Sequence, residues 1–377
     1  MAIKISVLKE NKSGEKRVAV IPLVASKILL LGASLALEAG AGEAATFPDS
    51  AYKDVDIIAD LKDLIADADI ILAVEPPSIE IIKLMKVGTI LISFIYGTNS
   101  PELLAALQSY KITTFAMEQI PRISRAQTMD ALSSQAALAG YYAPLLGAVH
   151  IPRILPMMTT AVGSLRAAKV LVMGLGVAGL SALATAKRLG AITEGYDVRP
   201  ETKEQAQSLG AKFVDTGIDA RSEGGYAREL TTDEKIEVQK VLSQHIANAD
   251  MIITTAAVPG KPAPKLISAE QVTLMKSGSV IVDLGAEGGG NCEGTKSGEI
   301  VKIGPTTIIG PLNIASALAQ HASELYSKNI FNFLELILKD GVLNLDFEDE
   351  IIKDTTLTHA GEIKNKAVYE KIKTPTA

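Results

Sequence analysis

The sequence predicts an α/β protein made of two doubly wound Rossmann-like domains, the second inserted into the first. Three observations carry this. Short β-branched runs alternate with Ala/Leu-rich helical patterns through most of the 377 residues. A glycine-rich turn restarts that alternation near Gly174. An apolar-spaced helix after Leu312 is long enough to return the chain to the first domain. At roughly 100–200 residues per domain the length also favours two. The expected bounds are 1–138 with 320–377 for the first domain and 139–319 for the second.

In chain order, KISVL is a strand, followed by a charged turn and the helix AVIPLVASKILLLGA. SLALEAG is a strand. DIIA, the helix LKDLIADA and the strand DIILAVEPP come next, then TILISFIYG, the helix PELLAALQSY and the strand KITTFAME. From about Arg125 to Val149 the pattern is one long helix, with a break expected near Pro144, because proline lacks the N–H a helix interior needs. After IPRILPMMTTAVG the alternation resumes with AAKVLVMGLG, AGLSALATAKRLG and AITEGYDV. MIITTA, VIVDL and TIIG read as further buried strands. LNIASALAQHASELYSKNIFNFLELIL is the returning helix, and FEDEIIKDTTLTHAGEI has alternation suited to a hairpin.

Composition narrows the function. A net charge of −6 argues against a broad electrostatic grip on nucleic acid. Cys292 is the single cysteine and cannot form an internal disulfide. Four histidines with no close pairing to it give no metal pattern. The charged N-terminus has no apolar segment of the secretory type. Every apolar stretch is broken short of the ~20 residues that span a bilayer. The expectation is a soluble chain in a reducing compartment, with no direct membrane span.

KVLVMGLGVAGLSALATAKRLGA places Gly174, Gly176 and Gly179 in G-x-G-x-x-G spacing, between an apolar strand and a helix. Asp197 ends the next strand. This is the dinucleotide fingerprint. Gly174 permits the tight turn, Gly176 lets the backbone approach a pyrophosphate, and Gly179 allows helix and strand to pack closely. The helix N-terminus, with Val177 and Ala178, offers free N–H groups and a positive dipole end. Asp197 would accept from an adenosine ribose and repel a 2′-phosphate, which favours NAD(H), while Arg199, beyond Val198, could tolerate one. TTAAVPGKPAP, with Ala256, and DLGAEGGGNCEG, with Asp283, Glu287 and Asn291, follow later strands toward the same edge, as does IGPLN. Glu287 reads equally well as a solvated carboxylate. DARSEGGYARELT carries Gly225 and Tyr226 in a long polar excursion and reads either as a mobile lid or as an exposed linker.

PRISRAQTMD (Pro121–Asp130) packs two arginines, a glutamine and a carboxylate between a strand and a helix. Together with GLGVAGLSALATAKRLGA, GGYA, PGKPAP and GGGNC, it closely resembles the NAD(H)-binding component, domain I, of proton-translocating nicotinamide nucleotide transhydrogenase. The resemblance runs through essentially the whole chain. It implies reversible hydride transfer between NAD(H) held here and NADP(H) on a separate domain, coupled to proton movement by a membrane domain. It also implies a homodimer on the cytoplasmic (or matrix-equivalent) side, peripheral to the membrane through its partners. By position, Arg122, Gln127, Asp130 and Ser133 match residues of the family's loop to the nicotinamide half of the cofactor, and Tyr226 matches the tyrosine of its mobile loop. Asp130, beside Ser133, can accept from the carboxamide. Gln127 could bridge the two nicotinamides, and Arg122 could meet a phosphate or Asp130. Arg125 reads as a structural ion pair.

Two alternatives stand beside this. The sister family, alanine dehydrogenase, shares the KE…GEKRVAVIP opening, but its lysine and histidine are missing here. The corresponding strand ends offer Ala73 and Glu75, then Phe94 and Tyr96. A non-catalytic NAD(H)-binding protein would also have this fold.

Overall fold

The computed structural model describes residues 2–370 other than 99, 220–227, 229, 258–261 and 366–367. The chain divides into two compact units, residues 1–135 with 316–377, and residues 136–315.

Unit 1 begins with β1 (Lys4–Val7), α1 (Pro22–Leu30), β2 (Ser34–Glu38), β3 (Asp56–Ile58), α2 (Leu61–Ala66) and β4 (Ile70–Leu72). It continues with α3 (Ile79–Ile82), β5 (Ile90–Ser93), α4 (Pro101–Ser109) and β6 (Thr113–Ala116). Strand order in its sheet is β3-β2-β1-β4-β5-β6, all parallel. Every residue of β4, β5 and β6 is buried, which is why these runs lack the polar alternation of a one-sided sheet. The helix starts are local chemistry. Asp60 caps α2, Ser78 caps α3, and Ser100 caps α4 ahead of Pro101.

The chain then runs through a 3-10 turn, Ser124–Met129, into α5 (Ala131–His150), and the boundary between units falls inside this helix. The break expected at Pro144 is absent, because α5 is continuous through it. The missing N–H is one bond among many, and Ala143 beside it is fully buried in a core. The helix also starts later than the pattern implied, since residues 124–129 form tighter 3-10 turns.

Unit 2 contains β7 (Met158–Thr160), β8 (Gly163–Leu165), β9 (Lys169–Met173), α6 (Val177–Arg188), β10 (Ile192–Tyr196), α7 (Thr202–Ser208) and β11 (Lys212–Phe213). There follow α8 (Thr232–Asn248), β12 (Met251–Thr254), α9 (Ala269–Thr273), β13 (Val280–Asp283), β14 (Ile300–Ile303) and β15 (Thr306–Ile309). The sheet order is β11-β10-β9-β12-β13-β15-β14, parallel except for β14. β7 and β8 form a separate two-stranded hairpin whose residues are all exposed.

The returning segment closes unit 1 with α10 (Ala319–Ile337), β16 (Leu338–Lys339), β17 (Val342–Leu343), α11 (Glu350–Thr355), β18 (Thr356–His359) and β19 (Glu362–Ile363). α10 buries Ala322, Tyr326, Ile330, Phe333 and Ile337, a stripe at helical spacing that joins α1 on one face of the sheet. Helices α2, α3 and α4 cover the other face. β18 adds antiparallel to β6, and β18 with β19 is the hairpin expected in the tail, with α11 before it. Both units are thus doubly wound, with the second inserted into the first.

Candidate functional site

In an open parallel sheet a ligand sits where the strand order reverses, beyond the carboxyl ends of the strands. In unit 2 that point lies between β9 and β12, and the glycine turn occupies it. Gly174 takes φ +94°, a conformation costly for any residue with a side chain. Its N–H donates to Tyr196 O (2.8 Å), and its carbonyl accepts from Thr255 Oγ1 (2.8 Å), tying the turn to the two neighbouring strand ends. A Cβ on Gly179 would collide with the Gly174 carbonyl, so α6 can lie against the turn only with glycine there. A Cβ on Gly176, by contrast, would meet nothing within 4 Å among the described residues. No described side chain caps α6, and its last turn carries Lys187 and Arg188, complementing the dipole. Open space above Gly176, facing an uncapped helix N-terminus, suits a pyrophosphate.

Val177 is exposed, Ala178 is half-buried, and Val198 packs partly into the core. Ala256 follows β12 and would lie against any side chain at Gly174. Asp197 folds back over the turn. It accepts from Leu175 N–H at 2.7 Å and from three nitrogens of Arg199, the backbone N–H (2.9 Å), Nε (2.9 Å) and Nη2 (2.8 Å).

Two carboxyl-edge residues have a structural place instead of an open one. Asp283 is fully buried and accepts five hydrogen bonds: from Thr254 Oγ1, Gly285 N, Asn291 N, Cys292 N and Thr295 Oγ1. Asn291 is also fully buried and donates to Ala256 O and Pro264 O (2.8 Å each), pinning the loop after β12. They hold the loops of this edge together from within, as strand-end polar residues can do without facing a ligand. Glu287 is exposed and accepts from Asn313 N at 2.7 Å. Gly225, Tyr226 and most of the lid segment lie outside the described residues, as do Pro259–Lys261 of PGKPAP.

In unit 1, PRISRAQTMD is anchored by the returning segment. Arg125 forms the expected structural pair, with Nη1 and Nη2 on the two oxygens of Asp349 at 2.6 and 2.9 Å. Asn329 and Asn332 both donate to Thr128 O at 2.9 Å, and Ala126 and Met129 are buried. Arg122 and Gln127 project as exposed side chains. Asp130 begins α5, taking Ser133 N on Oδ1 (2.8 Å) and Ser133 Oγ on Oδ2 (2.6 Å). The loop is thus rigidly held while its glutamine stays accessible.

Unit 1's own strand reversal, between β1 and β4, is lined by charged residues that the sequence offered only in the comparison with alanine dehydrogenase or not at all. Glu10 accepts from Val74 N (2.6 Å) and Glu75 N (3.2 Å), and burial pushes its carboxyl up to about 8. Arg17 donates to both oxygens of Glu15, to Glu75 and to Gln135. Glu75 also receives Lys12 at 2.7 Å. Tyr96 takes φ +49° and gives its N–H to Glu118. The carboxylates of this edge are tied down by hydrogen bonds, and Lys12, Glu75, Ile95 and Tyr96 line an open cavity of about 330 Å³ beside them. The charged KE…GEKR opening and the strand-end Glu75 and Tyr96 were its signs in the sequence.

Family models agree with this layout. The alanine dehydrogenase/PNT N-terminal domain model matches residues 6–139 and the C-terminal domain model residues 143–366. The chain belongs to the alanine dehydrogenase/PNT family. Within that family it is 44% identical to the first part of NAD(P) transhydrogenase subunit alpha from Rickettsia prowazekii, over 98% of each chain. It is similar to the crystal structure of transhydrogenase from Sinorhizobium meliloti, with TM-score 0.85 and 41% identity, over 97% of this chain and 99% of that one. Alanine dehydrogenase of Bacillus subtilis is more distant, at 29% identity over 77% of this chain and 72% of that protein.

Proposed function

We propose that this chain is the NAD(H)-binding component of a transhydrogenase and exchanges a hydride with NADP(H) held on a separate subunit. The observation that carries the reading is the near full-length 44% identity to a transhydrogenase alpha subunit. The glycine turn with Asp197 on unit 2 supports the NAD(H) part of it. When bound, NADH supplies a hydride from nicotinamide C4.

The protein's share of the work is to hold and to exclude. The α6 N-terminus and the Gly176 backbone would take the pyrophosphate, and Asp197 the adenosine ribose. Asp130 with Ser133 would orient the carboxamide. Gln127, with both a donor and an acceptor, would meet the partner's nicotinamide. Arg122 would serve a phosphate, and Tyr226 with Gly225 a closing loop. No general base is needed for a direct hydride transfer, which fits a loop of amide, guanidinium and hydroxyl groups.

The coupled proton movement, the membrane partner and the peripheral placement belong to the same proposal. Among the described residues no helix is long and apolar enough to cross a membrane. We read the chain as a homodimer. The exposed β7–β8 hairpin supports this, with Met157, Met158, Val162 and Leu165 in the open. The deciding experiment follows NADH oxidation by the purified chain through two additions. Pyruvate with ammonium should produce nothing, and an NADP⁺-loaded partner domain should then start oxidation. Oxidation at the first addition would mean an amino-acid dehydrogenase. Silence at both with NADH bound would mean a binding protein without turnover.

A further inference from the structure

The Asp197 carboxylate is full. A carboxylate offers about four lone-pair sites. One site on each oxygen is taken by a backbone N–H, Leu175 on Oδ2 and Arg199 on Oδ1. These two donors are fixed by the turn and cannot leave alone. The remaining site on each oxygen is taken by one prong of the Arg199 guanidinium, Nε on Oδ1 and Nη2 on Oδ2. The pair is mostly withdrawn from solvent, with side chains 18% and 6% exposed. Two parallel N–H donors on two oxygens make the same pattern that a ribose makes with its vicinal 2′ and 3′ hydroxyls.

We infer that Arg199 is a tethered competitor for the ribose diol, and that its fork must leave Asp197 before a nucleotide can be held there. This rests on the reading of unit 2 as a dinucleotide site and adds the residue that sets its affinity and its choice. Once released, the guanidinium remains two residues from Asp197, within reach of a ribose 2′ position. A 2′-phosphate there would gain a bidentate partner while facing the Asp197 charge. Arg199 therefore weakens NADH binding and partly rescues NADPH binding, so removing it should widen the discrimination between them.

The test uses the full chain, with Arg199→Gln and Arg199→Lys, titrated directly with NADH and NADPH by nicotinamide fluorescence. Arg199→Gln should bind NADH about tenfold more tightly, the scale of one charge-assisted pair, and NADPH more weakly. Arg199→Lys cannot form both prongs and should fall between. Competition against NADH provides the control. AMP should share the gain, whereas 2′,3′-dideoxy-AMP should not, since a general loosening of the site would move both. Unchanged or weaker NADH binding by Arg199→Gln, beside a wild type that binds, would overturn the inference and leave the dinucleotide site standing. No NADH binding by the wild type would remove both. If Arg199→Gln does not fold, Arg199→Lys decides, and affinity equal to wild type overturns the inference.

Discussion

Replacing Asp283 separates its scaffold role from any ligand role. The carboxylate takes three backbone N–H groups, from Gly285, Asn291 and Cys292, and two hydroxyls, from Thr254 and Thr295, at 2.7–3.0 Å. In Asp283→Ala the hydroxyls can turn to other acceptors, but the three N–H groups cannot. An unmet buried donor costs about 1–3 kcal/mol, and a water entering the vacated space would recover part of the sum, so the expected loss is about 4 kcal/mol. Asp283→Asn keeps the shape. With its oxygen placed on the Oδ2 side it still serves Asn291, Cys292 and Thr295, and only the Gly285 N–H opposes the new amide, for a loss of about 1–2 kcal/mol. Urea unfolding followed by circular dichroism measures both. The alanine variant should also bind NADH less well, because Asn291 would no longer be fixed where it holds Ala256 O. An Asp283→Ala stability within about 1 kcal/mol of wild type, taking the lower edge of that range as the limit, would refute the argument.

Four further outcomes are expected. Gly179→Ala forces a methyl onto the Gly174 carbonyl and should cost about 2–3 kcal/mol in urea while abolishing NADH fluorescence enhancement. Gln127→Asn should leave NADH affinity nearly unchanged and slow transfer to the NADP⁺-loaded partner, as measured by single-turnover mixing, since the side chain is exposed on a held loop. Glu10 titrates near 8 in the fold against an ordinary 4.5, so the folded chain keeps a proton that the unfolded chain releases. Its contribution to stability is therefore complete below 4.5 and lost as pH rises through 8, and urea midpoints should fall between about pH 5 and 8 by an amount that Glu10→Gln reduces. Cys292 is fully buried with its thiol pushed up to about 12, so DTNB at pH 8 should label it only after unfolding.

Much of this was legible in the residues. Runs such as IIL and VIVD read as strands because short β-branched segments alternate with helical patterns, and the G-x-G-x-x-G spacing between a strand and a helix marked the turn that lies at unit 2's strand reversal. Arg125 was readable as an ion pair, although Asp349 was not, because 224 residues separate them. Other features depended on non-local facts. Asp283 ends a strand just as a ligand-facing acid would, and only the fold of residues 285–295, with Thr254 of the neighbouring strand, turns five donors onto it. The Asp197–Arg199 fork has no spacing rule, since a pair two residues apart meets only where the chain bends sharply. Pro144 misled because the packing around Ala143 outweighs one lost hydrogen bond. Helix α8 follows a long polar stretch that masks its start, yet Thr231 and Glu234 form a capping box there.

The seam between β6 and β18 joins two strands made far apart in time. On the ribosome, β6 emerges with a bare edge, and the stripe of α10 that covers one face of its sheet, including Tyr326 and Phe333, is still some 200 residues from being made. The inserted unit, residues 136–315, is complete before that stripe exists. The inner body can therefore finish first, while the leading segment waits with an open strand edge and an uncovered apolar face. A ribosome that stalls after residue 315 would leave a finished nucleotide-binding body attached to a sticky half-sheet. Synthesis of residues 316–377 is what turns that hazard into a closed fold.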